Sequence, residues 1–210
     1  HNKDYLALIK KINQQKNSNH KLQIQTPKQP NISKRIFNVP FESKQDDFVG
    51  IEGKLEDIHE KLSNSKKLSI GQVAKFEGMG GLGKTQLAVE YAHKYKETYP
   101  NGVLWLTMDQ DIDEQLITLG KTHNLVNQNL DIKEQLDGIK YKLKSFENML
   151  LIYDNTNEQK DIEQDFLPKS ITNKILITTR NPIQGYTPIE LETLDFENSK
   201  KLLEIESEKT

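Results

Sequence analysis

Two patterns of apolar and polar positions alternate along the chain, one typical of helices and the other typical of strands. Apolar residues three or four positions apart indicate amphipathic helices, whereas short apolar runs between turn residues indicate buried strands. The predicted helices lie at 53–63, 87–95, 112–119, 132–146 and 195–206, and the predicted strands at 73–77, 103–107, 149–153, 174–179 and 188–191. This alternation favours a three-layer α/β/α fold with a mainly parallel sheet of five strands.

Residues 1–47 follow a different pattern and are rich in Asn, Gln and Pro. Helical spacing there is confined to four apolar residues, Tyr5, Leu8, Ile9 and Ile12. Residues 1–45 hold nine Lys or Arg and two Asp or Glu, a net charge of +7, which leaves −9 for the rest of the chain. We therefore predict a short N-terminal helix and a polar, basic linker or arm over 1–47, followed by a domain over 48–210.

The amino-acid composition excludes or disfavours several classes of function. The 210 residues carry a net charge of −2, which disfavours a nucleic-acid binder. The absence of cysteine excludes disulfides, cysteine-ligated zinc and a thiol nucleophile. Apolar runs such as 149–153 are far shorter than the roughly 20 residues that span a bilayer, and no signal pattern is present, so we expect a cytoplasmic module without a membrane segment. The first residue is His1, and we expect a fragment of a longer protein.

A glycine-rich segment, Gly78–Thr85, supplies the sharpest candidate site. Its sequence GMGGLGKT fits the phosphate-loop (P-loop) pattern G-x-x-x-x-G-K-[ST] and lies between a predicted strand and a predicted helix. Glycines allow backbone N–H groups to converge on phosphate oxygens, and the positive end of the following helix faces the same anion. We expect Lys84 to reach the β- and γ-phosphates and the Thr85 hydroxyl to hold Mg²⁺, the alternative being a turn that these residues follow by chance. The predicted nucleotide-binding residues here are Gly78, Gly80, Gly81, Leu82, Gly83, Lys84, Thr85 and Gln86.

Asp154 ends the apolar run Met149–Tyr153 and is the candidate second ligand of the metal. A carboxylate at the carboxyl end of a buried strand lies at the ligand-binding edge of a parallel sheet and can orient Mg²⁺. The alternative is an aspartate that caps a turn together with Asn155. Asn155 also stands where many rapid ATPases carry a second carboxylate. Because an amide cannot accept a proton, the sequence does not support fast hydrolysis.

Arg180 follows the apolar run 174–179 and is the third candidate. A guanidinium fork at the same sheet edge can contact a γ-phosphate, and the alternative is a solvent-facing side chain after a strand. Of the 29 basic residues only Arg35 and Arg180 are arginine, which favours a requirement for fork geometry at position 180. We therefore predict three catalytic residues, Lys84, Asp154 and Arg180, and two metal ligands, Thr85 and Asp154.

Taken in order, these segments resemble the NB-ARC domain of the STAND class of P-loop signalling ATPases, which includes plant disease-resistance receptors, the apoptotic protease-activating factor and bacterial sensors. The resemblance covers roughly residues 46–207 and rests on five segments, Phe48–Glu52, Gly78–Thr85, Asn101–Leu106, Leu150–Asn155 and Lys174–Arg180. In the family the first of these lies near the adenine, which implies that Phe48 and Val49 contact the base. Ile51 stands where the family usually carries arginine.

The resemblance implies a P-loop NTPase fold that acts as a nucleotide-controlled switch. ADP would hold a closed resting state, ATP would favour an open state that forms homo-oligomers, and slow Mg²⁺-dependent hydrolysis would reset it, so the chain is at most a slow ATPase. The expected cofactors are ADP or ATP with Mg²⁺. Besides nucleotide, the expected partners are a C-terminal sensor and an N-terminal effector, and the family's helical and winged-helix subdomains are missing after residue 210.

Two other functions remain open from the sequence. A turnover-competent P-loop ATPase of another family would place a glutamate beside Asp154 and hydrolyse ATP rapidly. A binding-only scaffold would use nucleotide as a structural element, and replacing Lys84 would then cost stability along with bound nucleotide.

Overall fold

The computed structural model describes residues 35–44, 52–65, 67–72, 83–181 and 183–191, together with residues 198, 200, 204 and 207. In these ranges the strands are β1 Ile36–Phe37, β2 Lys67–Gln72, β3 Gly102–Thr107, β4 Leu150–Thr156, β5 Lys174–Thr179 and β6 Thr187–Leu191. The α-helices are α1 Glu52–Asn64, α2 Lys84–Tyr95, α3 Ile112–Thr122 and α4 Ile132–Leu143. Single 3₁₀ turns follow α2 and β4, at Lys96–Thr98 and Gln159–Ile162.

The strands form one sheet in the order β1-β3-β4-β5-β2-β6, and every pairing in it is parallel. The connection that leaves β2 crosses to one side of the sheet, towards β3, whereas the connection that leaves β5 crosses over β2 to reach β6. Ligands of open α/β sheets bind at the carboxyl ends of strands where the connections diverge in this way. The topology therefore predicts a ligand-binding site at the carboxyl ends of β5, β2 and the neighbouring β4.

Helices cover both faces of the sheet, which confirms the predicted three-layer α/β/α architecture. Alternate residues of β3 show the division: Val103 and Trp105 pack with α1 and α2, whereas Leu104 and Leu106 pack with α3 and α4. All six residues of β3 are buried, as expected for a parallel strand covered on both sides. No helix within the described ranges is both long and apolar enough to cross a bilayer.

The helix predictions from periodicity are confirmed for α1, α2, α3 and α4, and local capping signals fix the starts of α3 and α4. Asp111 and Asp131 cap α3 and α4 by accepting hydrogen bonds from the backbone N–H of Glu114 and Glu134, and α4 has a complete capping box. α4 ends at Leu143, three residues before the predicted end at 146. For the predicted helix at 195–206, the described residues of this region are helical: Asn198, Lys200, Glu204 and Ser207.

The predicted number of five strands is wrong, because the described sheet has six. One strand that the sequence pattern did not predict is β1, which lies within the predicted arm and pairs with β3. Two residues cannot show a strand period, so the sequence pattern does not reveal this strand. Ile36 is fully buried and pairs with Gly102, where a Cβ would lie 1.8 Å from the Ile36 carbonyl oxygen, so the close approach requires glycine.

β2 is a second strand that the sequence pattern did not predict, and it lies directly before the strand predicted at 73–77. The predicted segment itself lies outside the described residues, as do residues 1–34 with the predicted N-terminal helix. The division into an arm over 1–47 and a domain from residue 48 stays a prediction.

Residues 35–44, which we call the strap, pack on β3 and along α2. Asn38 exchanges two side-chain hydrogen bonds with the backbone of Trp105, at 2.9 and 2.8 Å. At the far end, the buried carboxylate of Glu90 in α2 accepts hydrogen bonds from the Ser43 hydroxyl at 2.5 Å and the Lys44 backbone N–H at 2.7 Å. The end of the predicted arm is thus joined to the helix that carries Lys84 and Thr85.

Candidate functional site

The start of α2 meets the carboxyl ends of β4 and β5. Gly83 precedes the helix with φ 76°, a left-handed conformation that favours glycine, and its carbonyl accepts the first hydrogen bond of the helix from Leu87 N–H at 2.7 Å. One turn of α2 therefore presents Lys84 and Thr85 at the sheet edge. The Thr85 hydroxyl donates to Asp154 Oδ1 at 2.9 Å, which joins two residues 69 positions apart.

A β-bulge shapes this end of β4. The register with β5 runs to Tyr153↔Ile177 and resumes only at Thr156↔Thr179, so two residues of β4, Asp154 and Asn155, oppose the single residue Thr178. Asn155 has φ 55°, a left-handed conformation that asparagine tolerates better than most residues. The Thr178 hydroxyl donates to Asp154 Oδ1 at 2.5 Å and accepts from the Asn155 N–H at 3.0 Å.

Asp154 is held in a buried, hydrogen-bonded environment, with 2% of its surface exposed. Burial raises the pKa of its carboxyl group above the ordinary value, and the nearby Asp109 carboxylate adds to this rise. Hydrogen bonds from Thr178, Thr85 and the backbone at Asn155 act in the opposite direction on the same pKa. Because burial disfavours the charged form, a positive charge nearby would stabilise the carboxylate.

Lys84 and Arg180 line one pocket of about 260 Å³ beside the bulge, together with Asp109, Asn155, Asn157 and two threonines, Thr156 and Thr179. Burial lowers the pKa of the Lys84 ammonium group, and the positive charge of Arg180 lowers it further, against an opposing effect of Asp154. The described part of the lining holds these two cations against one carboxylate, Asp109, which leaves a net positive charge that favours an anion. The pocket therefore has the electrostatic character of a site for phosphate groups.

The oxygen atoms at the bulge fit Mg²⁺. Mg²⁺ prefers hard oxygen ligands and usually combines one or two protein ligands with phosphate oxygens and water. The proton of the Thr85 hydroxyl is donated to Asp154, so its lone pairs remain for a cation. Among the residues that the structure describes, no group of three or more His, Asp or Glu side chains could hold a metal ion unaided. A metal here would therefore be shared with the phosphate groups.

A second cavity of about 500 Å³ lies elsewhere, between the strap, β3 and α3. Two of its polar side chains, Asn38 and Gln115, are already engaged with the backbone of β3: Gln115 accepts from the Thr107 N–H at 2.8 Å and donates to the Thr107 carbonyl at 2.9 Å. We place the candidate site in the smaller pocket, because it is lined by two cations next to the buried Asp154, whereas no Lys or Arg among the described residues lines the larger cavity.

The structure thus brings together four predicted site residues, Lys84, Thr85, Asp154 and Arg180. The Gln86 amide donates to Glu90 Oε1 at 2.6 Å, so it is engaged along α2. Other predicted residues lie outside the described ranges: Phe48, Val49, Gly78, Gly80, Gly81 and Leu82. The chemical roles of all these residues stay predictions. Sequence reasoning missed Thr178 and Asp109; the change from apolar residues to threonine at the end of β5 is the signal that could have indicated Thr178.

The parallel three-layer fold, with a helix whose first residues meet a strand-end aspartate, defines the class of P-loop NTPases. The NB-ARC domain family matches residues 51–209, and the chain belongs to this family. Two relatives from Arabidopsis thaliana illustrate the similarity. The disease susceptibility protein LOV1 is 27% identical over 146 residues, which are 66% of this chain and 16% of that protein. The probable disease resistance protein RF9 is 28% identical over 165 residues, 73% of this chain and 15% of that protein.

The chain therefore spans less than a fifth of the length of these relatives. Among solved structures, Cdc6p from Pyrobaculum aerophilum is similar with a TM-score of 0.48 and 14% identity, over 81% of this chain and 52% of that one.

Proposed function

We propose that the chain is the nucleotide-binding module of a larger signalling protein and that it binds ADP or ATP in the pocket beside the β4 bulge. The observation that carries the proposal is the contact of Thr85 with Asp154, 2.9 Å apart, next to a pocket lined by Lys84 and Arg180. Membership of the NB-ARC family and the names of its disease-resistance relatives support a role in a signalling switch.

Each described residue has a distinct part in nucleotide binding. The Lys84 ammonium group and the first-turn N–H groups of α2 neutralise phosphate oxygens. Thr85 and Asp154 would hold Mg²⁺, which would supply positive charge to the phosphate groups. Arg180 is exposed at the pocket rim, where its guanidinium group can reach the γ-phosphate of ATP, a group that ADP lacks.

The switch follows from differential affinity for two nucleotides. A ligand shifts a conformational equilibrium only as far as it interacts differently with the two states. The γ-phosphate contact with Arg180 provides such a difference between ATP and ADP. We propose that hydrolysis is slow and resets the switch, since Asn155 cannot act as a general base beside Asp154.

The wider setting of the switch is part of the same proposal. We propose a cytoplasmic protein in which ATP binding favours homo-oligomers, with a sensor and an effector on either side of this module. Asn155 disfavours a rapid ATPase of another family. A scaffold with purely structural nucleotide would show the same affinity for ADP and ATP and no change of assembly between them.

Calorimetric titration with ADP and ATP in the presence of Mg²⁺ tests the proposal. We expect Lys84→Ala to weaken both affinities by about 10-fold or more, because a hydrogen bond to a charged group contributes about 1.5–3 kcal/mol. The matched control is Lys94→Ala on the same helix, whose ammonium group lies 3.8 Å from Glu56, and it should bind as the unchanged chain does. The proposal is wrong if the unchanged chain binds neither nucleotide.

A further inference from the structure

Thr178 follows three apolar residues of β5, Ile175–Ile177, and 1% of its surface is exposed. Valine is nearly the same size and has a higher strand preference, so packing alone gives no reason for a hydroxyl at this position. Its oxygen contacts both bulge residues of β4, the Asp154 side chain and the Asn155 backbone. Thr178 is therefore a polar residue that does not line the pocket itself but contacts a predicted metal ligand, Asp154.

The direction of these hydrogen bonds is fixed by the chemistry of the partners. A backbone N–H can only donate, and a carboxylate oxygen accepts. Thr178 must therefore accept from Asn155 and give its single proton to Asp154 Oδ1. Hydrogen bonds linked in such a chain polarise and strengthen one another. The Thr178 hydroxyl therefore connects the backbone of the bulge at Asn155 to the Asp154 carboxylate.

Asp154 Oδ1 also accepts the proton of Thr85, at 2.9 Å. A hydroxyl can ligate a cation only if its proton points away from the cation. The Thr85 hydroxyl meets this condition only while Asp154 stays in the orientation that accepts its proton. Whatever holds the Asp154 carboxylate therefore also decides whether the lone pairs of Thr85 are available to a metal.

We infer that Thr178 is a positioning residue for the divalent cation: it holds Asp154 so that Oδ1 accepts the Thr85 proton and the Thr85 lone pairs face the cation. The inference rests on the proposed function, because it takes Thr85 and Asp154 as the metal ligands of a nucleotide site. Partners of metal ligands of this kind typically change metal affinity by 10- to 100-fold when they are replaced.

Three variants of the 210-residue chain test this role. Thr178→Val keeps the shape and removes the hydroxyl, whereas Thr178→Ser restores the hydroxyl. The matched control is Thr107→Val, a buried threonine at the end of β3. Thr107 pairs with Asp154 in the β3–β4 register, and its hydroxyl accepts a hydrogen bond from the Trp105 ring N–H at 3.3 Å. Two quantities are measured: the affinity for ADP in EDTA, and the affinity of the ADP complex for Mn²⁺ by electron paramagnetic resonance.

We expect Thr178→Val to weaken Mn²⁺ binding by about 10-fold or more while its ADP affinity in EDTA changes by less than about 3-fold. Thr178→Ser and Thr107→Val should bind Mn²⁺ as the unchanged chain does. The inference is overturned if Thr178→Val binds Mn²⁺ normally, if Thr178→Ser is as weak as valine, or if ADP affinity in EDTA falls by the same factor. If the unchanged chain binds no ADP at all, the proposed function fails first, and the inference fails with it.

Discussion

Glu90 supports a quantitative stability prediction, because a single buried carboxylate joins the strap to α2. It is 5% exposed, and it accepts hydrogen bonds from the Ser43 hydroxyl, the Lys44 N–H and the Gln86 amide at 2.5, 2.7 and 2.6 Å. Replacing it with alanine removes all three of these hydrogen bonds. We expect Glu90→Ala to lower the free energy of unfolding and to loosen the strap from the helix.

The magnitude follows from the exposure of the partners. Hydrogen bonds to a charged group contribute about 1.5–3 kcal/mol each. Lys44 is exposed and Ser43 is half-buried, so water can replace part of their hydrogen bonding to Glu90 in the variant. The burial of the carboxylate also costs free energy that alanine does not incur. We therefore expect a loss of about 2–4 kcal/mol, well below the sum of three such bonds. For a chain of this size that lowers Tm by roughly 4–16 °C.

Urea unfolding followed by circular dichroism measures the loss. The matched control is Glu97→Ala in the 3₁₀ turn that follows α2, where Glu97 forms an exposed ion pair with Arg35 of the strap at 2.6 Å. Exposed pairs of this kind contribute about 0–1 kcal/mol. Should Glu90→Ala cost no more than Glu97→Ala, the buried carboxylate does not stabilise the strap and the reasoning is refuted. A double-mutant cycle with Ser43→Ala isolates the coupling between the two partners.

Two further predictions concern Arg180 and the tyrosine pair at the far end of α2. Arg180→Ala should weaken ATP binding by about 10-fold and leave ADP binding nearly unchanged in the same calorimetric titration, because only ATP carries a γ-phosphate; an equal loss for both nucleotides would contradict the assigned contact. The Tyr91 and Tyr99 hydroxyls lie 2.7 Å apart, and burial raises the pKa of Tyr99 to about 12. In the unfolded chain the Tyr99 hydroxyl loses its proton near pH 10. The contribution of Tyr99 to the free energy of unfolding is therefore complete below pH 10 and is lost as the pH rises towards 12. Tyr99→Phe should flatten that decline in urea titrations between pH 9 and about 12, and an unchanged slope would count against it.

The parts of the fold that the sequence reveals are those with local signals. The stripe Leu55, Ile58 and Leu62 predicts α1, the apolar run of β3 predicts a buried strand, and the phosphate-loop pattern leads directly to Lys84 and Thr85. Each of these features is contained within about fifteen residues, so periodicity and spacing are sufficient to find them.

The parts that the sequence does not reveal depend on residues far apart in the chain. β1 has two residues and is recognisable only by its pairing with β3, and Asn38 meets Trp105 across 67 positions. Thr178 gains its significance from the bulge at Asp154 and Asn155, which exists only once β4 and β5 are paired. Such contacts have no local periodicity, and a single sequence therefore gives no means of predicting them.

The sheet order also has a consequence for the time course of synthesis. β2 forms hydrogen bonds with β5, beginning with Lys67↔Ile175, so the two partners are 108 positions apart along the chain. At about 5–20 residues per second, a ribosome needs roughly 5–20 s to produce β5 after β2 has been made. During that interval β2 has neither of its neighbours, because β6 is made later still. An unpaired strand of this kind can pair with another chain. The sheet order therefore leaves β2 open to pairing with other chains until β5 has been made.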